Sequence, residues 1–171
     1  MDLGRPPLRC AARIGTGFLI VMLAASGFGP GRFAGAGFPE GLAAFDGGDL
    51  RGAYEEWLPL ARDGDLTAQV ALAGLLEGGG PGLERDIVAA AGWYLLAASA
   101  GDAIAQMNLA ELYAQGRGLA RDPVRALAWF ILAAEQGRGW AAERRDALSI
   151  RLKADQRAAA KELAASLRTR Q

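Results

Sequence analysis

Between Ala103 and Gln115 the apolar positions fall on two sides of a helix, with Met107, Ala110 and Ala114 on one and Leu109, Leu112 and Tyr113 on another. Recurrence at three and four residues, rather than alternation, predicts a helix here. Gly116-Arg117-Gly118 stops it, because glycine accepts the left-handed conformation that ends helices. A second helix is expected to begin at Asp122-Pro123, where a carboxylate can take up free amide donors and proline fits the first turn. It should run to Gly137. Asp86 and Gly101 bracket the corresponding helix one unit earlier, and Asp49 and Gly64 the one before that.

The pattern repeats. Trp57, Trp93 and Trp129 stand in register, and around the last two Ala90, Trp93, Tyr94, Ala97, Ala98 and Gly101 are answered by Ala126, Trp129, Phe130, Ala133, Ala134 and Gly137. Upstream, Ala68-Gln69 with Leu72 and Leu75 is answered by Ala105-Gln106 with Leu109 and Leu112, one residue further apart. That extra residue falls in a Gly-rich loop, where length changes cost little. A period in this range is the mark of stacked helical hairpins, each apolar on two faces because it packs on its partner and on the next repeat. The aromatic residues are expected to fill the space between hairpins, and the alanine pairs to let helix axes approach closely.

The segment Ala105 to Gly137 resembles the Sel-one-like repeat (SLR) family, a relative of the tetratricopeptide repeat. The likeness rests on Ala105, Leu109 and Tyr113, then Gly116 and Gly118, Asp122, and a block built on Ala126, Trp129, Phe130, Ala133, Ala134 and Gly137. Residues 68 to 101 match with departures, since Leu76 replaces the tyrosine and the loop reads GGGPG at Gly78 to Gly82. The resemblance implies an all-α, right-handed superhelical solenoid of stacked antiparallel helix pairs, of about three to four repeats, with a concave groove for protein contacts. The expected division is a degenerate first repeat at 38–65 with a short first helix around Leu42 to Phe45, a second repeat at 66–102, and a third at 103–138. A capping helix pair at 139–171 would consist of Trp140 to about Ile150 and roughly Lys153 to Arg168. Terminal repeats need polar outer faces for solubility.

Residues 1–36 read as a signal peptide. A basic start is followed by an uncharged stretch from Ile14 to Gly31, and Ala34 and Ala36 form a small-residue site for cleavage after Ala36. The chain is therefore expected to be exported, periplasmic or secreted, or else anchored in the inner membrane by residues 14–31 if the segment is retained. Cys10 precedes the apolar run, which excludes a lipoprotein reading.

Charge and composition then narrow the chemistry. The 171 residues contain 19 basic and 19 acidic side chains, no histidine and a single cysteine. Zinc fingers, Ser-His-Asp triads, Cys-His dyads and an internal disulfide are all excluded. No cofactor and no metal are expected. Residues 1–36 carry a net +3 and the rest a net −3, a mildly acidic body whose charges look dispersed, so nucleic acid is not an expected partner. The glycine loops join two helices and lack the Gly-Lys-Ser/Thr ending of a phosphate loop. Adjacent Glu55 and Glu56 point apart on a helix, and Asp86 serves as a cap.

A non-catalytic adaptor of the bacterial cell envelope is the function expected, monomeric, with a protein or peptide held in the groove of the first helices. The positions there that the packing frame leaves unexplained are Gln69, Val70, Ala73, Gln106, Met107, Ala110 and Glu111. The alternative is an accessory protein that binds or cleaves cell-wall glycan such as peptidoglycan with Asp and Glu alone, since two carboxylates from neighbouring repeats can face each other across a cleft.

Overall fold

A computed structural model describes residues 37–170. The expected signal segment and Cys10 lie outside the described residues. Eight helices follow one another among the described residues: α1 (Gly37–Asp46), α2 (Leu50–Arg62), α3 (Leu66–Gly78), α4 (Ile87–Ser99), α5 (Ala103–Gln115), α6 (Pro123–Glu135), α7 (Gly139–Arg151) and α8 (Ala154–Arg168). Each of α2 to α7 packs on its predecessor, whereas α8 packs on α6, so α1 to α6 form a row of hairpins that α7 and α8 close at one end. The all-α class and the paired helices are as the periodicity implies. The degenerate first repeat has a ten-residue first helix, longer than its sequence promises.

Local chemistry sets the boundaries. Asp49, Asp86 and Asp122 accept hydrogen bonds from the opening amides of α2, α4 and α6. Two further aspartates, Asp65 and Asp102, do the same for α3 and α5, accepting from Ala68 N at 2.8 Å and Ala105 N at 2.7 Å. Each such cap satisfies an amide that the helix leaves unpaired. The turns from α4 to α5 and from α6 to α7 are short and pass through Gly101 and Gly137, both at positive φ. A capping aspartate is missing before α7, where Arg138 makes no side-chain cap. At α8 the Gln156 side chain instead accepts the Lys153 amide at 3.0 Å.

The core is divided among three clusters. One gathers Ala53, Trp57, Leu72, Leu75 and Leu76, and the largest holds Tyr94, Leu109, Leu112, Tyr113, Trp129 and Phe130. Leu127, Leu152 and Ala160 make the third, beneath α8. Trp57 and Trp129 are buried, whereas Trp93 is half-buried and packs against both larger clusters. In the first repeat α1 closes over Trp57: Phe38 stacks on it with centroids 5.5 Å apart, and its indole N–H donates to Phe38 O at 3.2 Å. Gly41 makes that closure possible, because a Cβ there would stand 2.3 Å from the indole nitrogen.

Candidate functional site

Five of the seven positions expected to face a partner are instead buried: Gln69, Ala73, Gln106, Met107 and Ala110. Val70 and Glu111 are half-buried. The physical reason is that α3 and α5 pack on the helix before as well as the helix after, which closes both sides rather than one. The glutamines serve the junctions. Gln69 Nε2 donates to Ala61 O at 3.0 Å, and Gln106 Nε2 to Ala98 O at 3.4 Å, so each ties a first helix to the end of the preceding second helix. Gln106 Oε1 in turn accepts from Gln136 Nε2 at 3.0 Å, while Gln69 Oε1 has no hydrogen-bond partner.

A narrower stripe remains open. On α5 it runs Ile104, Asn108, Glu111 and Gln115, at the spacing of a single helical edge. The same register on α3 gives Thr67, Ala71, Gly74 and Gly78, and on α7 Trp140, Arg144, Ala147 and Arg151. Ile104 and Trp140 are large apolar side chains left 37% and 46% exposed. Glu111 is the one member of the expected set that lies on this stripe.

Polar contacts connect the stripes. Tyr94 Oη donates to Glu77 Oε2 at 3.3 Å, and Arg117 pairs with Glu77 Oε1 at 3.0 Å, joining α3, α4 and the loop after α5. Burial first, then the Glu77 carboxylate, holds the Tyr94 phenol well above its ordinary pKa, against the opposing influence of Asn108 and Arg117. The hydroxyl therefore stays protonated and keeps its role as donor. One repeat on, Arg144 Nε lies 2.9 Å from Glu111 Oε1. That oxygen is buried and the contact lacks hydrogen-bond geometry, so the attraction is chiefly between charges. Gln115 donates to the other Glu111 oxygen at 2.9 Å. Beside this pair a cleft of about 440 Å³ opens between α5 and α7, with Phe130 and Leu148 in its wall and Arg121 and Arg151 at its rim.

These groups offer hydrogen bonds, ion pairs and apolar contacts. Among the described residues no group of three or more His, Cys, Asp and Glu side chains is placed to hold a metal ion. Five aspartates are engaged as helix caps, and Glu77, Glu111 and Glu135 are in ion pairs.

Stacked helix hairpins with aspartate caps, glycine turns and a tryptophan-centred core define a helical repeat scaffold. The Sel1 repeat family model matches residues 66–102 and 103–137, so the chain carries two Sel1 repeats. Proteins of this family are generally protein–protein interaction scaffolds, and the fold is typically non-catalytic. No curated protein matches the chain. Among solved structures it is similar to a protective antigen present in uropathogenic Escherichia coli strains, which displays an SLR fold, at 31% identity and a TM-score of 0.72. That match covers 77% of this chain and 29% of the other. It is also similar to a Sel1 repeat protein from Oxalobacter formigenes, at 28% identity and a TM-score of 0.57, covering 63% of this chain and 43% of that one. The chain thus spans less than half the length of either solved relative.

Proposed function

We propose that this protein is a non-catalytic adaptor of the cell envelope, holding a protein or peptide partner along the exposed stripe of α3, α5 and α7. The observation that carries the reading is the apolar exposure of Ile104 and Trp140 at one register on successive first helices. A large apolar side chain left open beside a polar network is a usual anchor of an interface. Export rests on the basic, then uncharged, then small-residue order of residues 1–36. The likeness to a protective antigen is in keeping with it. Among the described residues no helix is long and apolar enough to cross a membrane.

The test is affinity capture from the envelope of the native cell with the wild-type chain and with the Ile104→Asp, Trp140→Asp double variant. A protein retained by the first and lost by the second, with unchanged helical circular dichroism, supports the groove. Equal retention by both would sink it.

A further inference from the structure

Charge is segregated along this molecule, which corrects the impression of dispersal given by its composition. Residues 37–137 carry fourteen acidic against six basic side chains, a net −8, whereas residues 138–171 carry nine basic against four acidic, a net +5. Part of the basic excess lines a cavity of about 530 Å³ between α6, α7 and α8. Leu127, Ile131 and Ala164 form an apolar wall, and Arg145, Arg157, Lys161 and Arg168 bring four positive charges against the two of Glu135 and Asp146. The carboxylates are already taken. Arg168 Nη2 stands 2.5 and 2.7 Å from the two Glu135 oxygens, and Arg145 Nε lies 2.8 Å from Asp146 Oδ1.

Two cations are left over. Arg157 Nη1 donates to Leu152 O at 2.6 Å and Ser149 O at 3.5 Å, at the carboxyl end of α7. Neutral acceptors thus orient this guanidinium, and among the described residues no carboxylate pairs with it. Lys161 lies one turn further along α8, exposed and without a partner among the described residues. Like charges at this spacing repel, and an anion placed between them relieves the repulsion. A guanidinium already fixed in place loses little freedom on binding a carboxylate.

We propose that this cavity binds an acidic peptide segment of a partner protein, with a carboxylate on Arg157 and Lys161 and a neighbouring apolar side chain against Leu127, Ile131 and Ala164. The volume is that of a small ligand site. Two carboxylates in the rim disfavour a run of phosphates, and the apolar wall has no use for one. The cavity shares no lining residue with the cleft between α5 and α7, so this site stands whether or not the groove holds a partner.

The experiment is fluorescence anisotropy with the full chain and a labelled peptide of alternating Glu and Leu, beside the same peptide with Gln for Glu. The Glu peptide is expected to bind about tenfold more tightly. Lys161→Glu, at an exposed position where folding is not at risk, should lower that affinity by about tenfold, and Lys153→Glu, the same charge change outside the cavity, by less than about threefold. Equal binding of the two peptides, no binding of either, or an equal loss in Lys153→Glu overturns the proposal. Tighter binding of inorganic polyphosphate also overturns it. So does concentration-dependent sedimentation abolished by Lys161→Glu, which gives the cavity to the acidic half of a second copy.

Discussion

Gln69 and Gln106 occupy the same place in consecutive repeats and make the same first hydrogen bond, yet only Gln106 is satisfied at its oxygen. The difference lies in one residue. Gln136, at the end of α6, reaches back to Gly101 O and Gln106 Oε1 at 3.0 Å each, and the corresponding position at the end of α4 is Ala100. Both have nearly the same backbone, φ −86° at Ala100 and −85° at Gln136, so the longer side chain fits the same turn. Ala100→Gln should place an amide within reach of Gly64 O and Gln69 Oε1. Satisfying a buried orphan acceptor is worth about 1 kcal/mol. Urea unfolding should therefore shift to a higher midpoint in this variant, and an unchanged or lower midpoint would show that the orphan oxygen costs nothing.

At the scale of the element, turns do more than reverse the chain. Gly118, between α5 and α6, has φ +68°, and a Cβ there would stand 2.5 Å from Ile87 O at the start of α4. The turn is seated on the neighbouring repeat. Gly137 has φ +81° and nothing within 4 Å of its position. Gly137→Ala thus meets only the cost of a left-handed alanine, about 1 to 2 kcal/mol, whereas Gly118→Ala adds a backbone clash of about 1 to 3 kcal/mol more. Thermal unfolding of the two variants measures the difference directly, and equal losses would mean the turn is not seated. Much of this level was legible in the sequence. Ala103 to Gln115 is the helix its apolar spacing predicts, and Asp122 caps as expected, because caps and stops are settled by residues a turn away. The outward face was not legible. Met107 and Ala110 lie in the core because α5 is covered by both α4 and α6, as its two apolar sides imply, but the spacing inside one helix does not say which narrow edge stays open between them. The signal that would have found the open stripe is the matched register of Thr67, Ile104 and Trp140, small, apolar and aromatic in turn.

Across the whole molecule, stability is a chain of neighbour contacts rather than one shared centre. Trp129 lies inside one cluster, and its replacement by alanine should cost about 3 to 5 kcal/mol. Trp93 is half-buried and touches both larger clusters. Trp93→Ala should cost less in total but loosen the link between the two ends, lowering the urea m-value or splitting the transition. A single sharp transition with an unchanged m-value would show that the clusters do not depend on this residue. The opposition of an acidic body to a basic cap belongs to this scale too. It was present in the sequence and hidden by the sum, since equal totals conceal where the charges sit.

The turn closing one hairpin onto the next at α2–α3 and at α4–α5, with its glycine, its aspartate and its glutamine tie, is a joint complete in itself. Nothing in it refers to how many hairpins stand on either side. A chain joined this way can gain or lose whole hairpins by duplication or deletion of its coding segment without redesigning any contact, much as masonry courses are added to a wall. The reach of the molecule is then open to change while the geometry at each seam stays fixed.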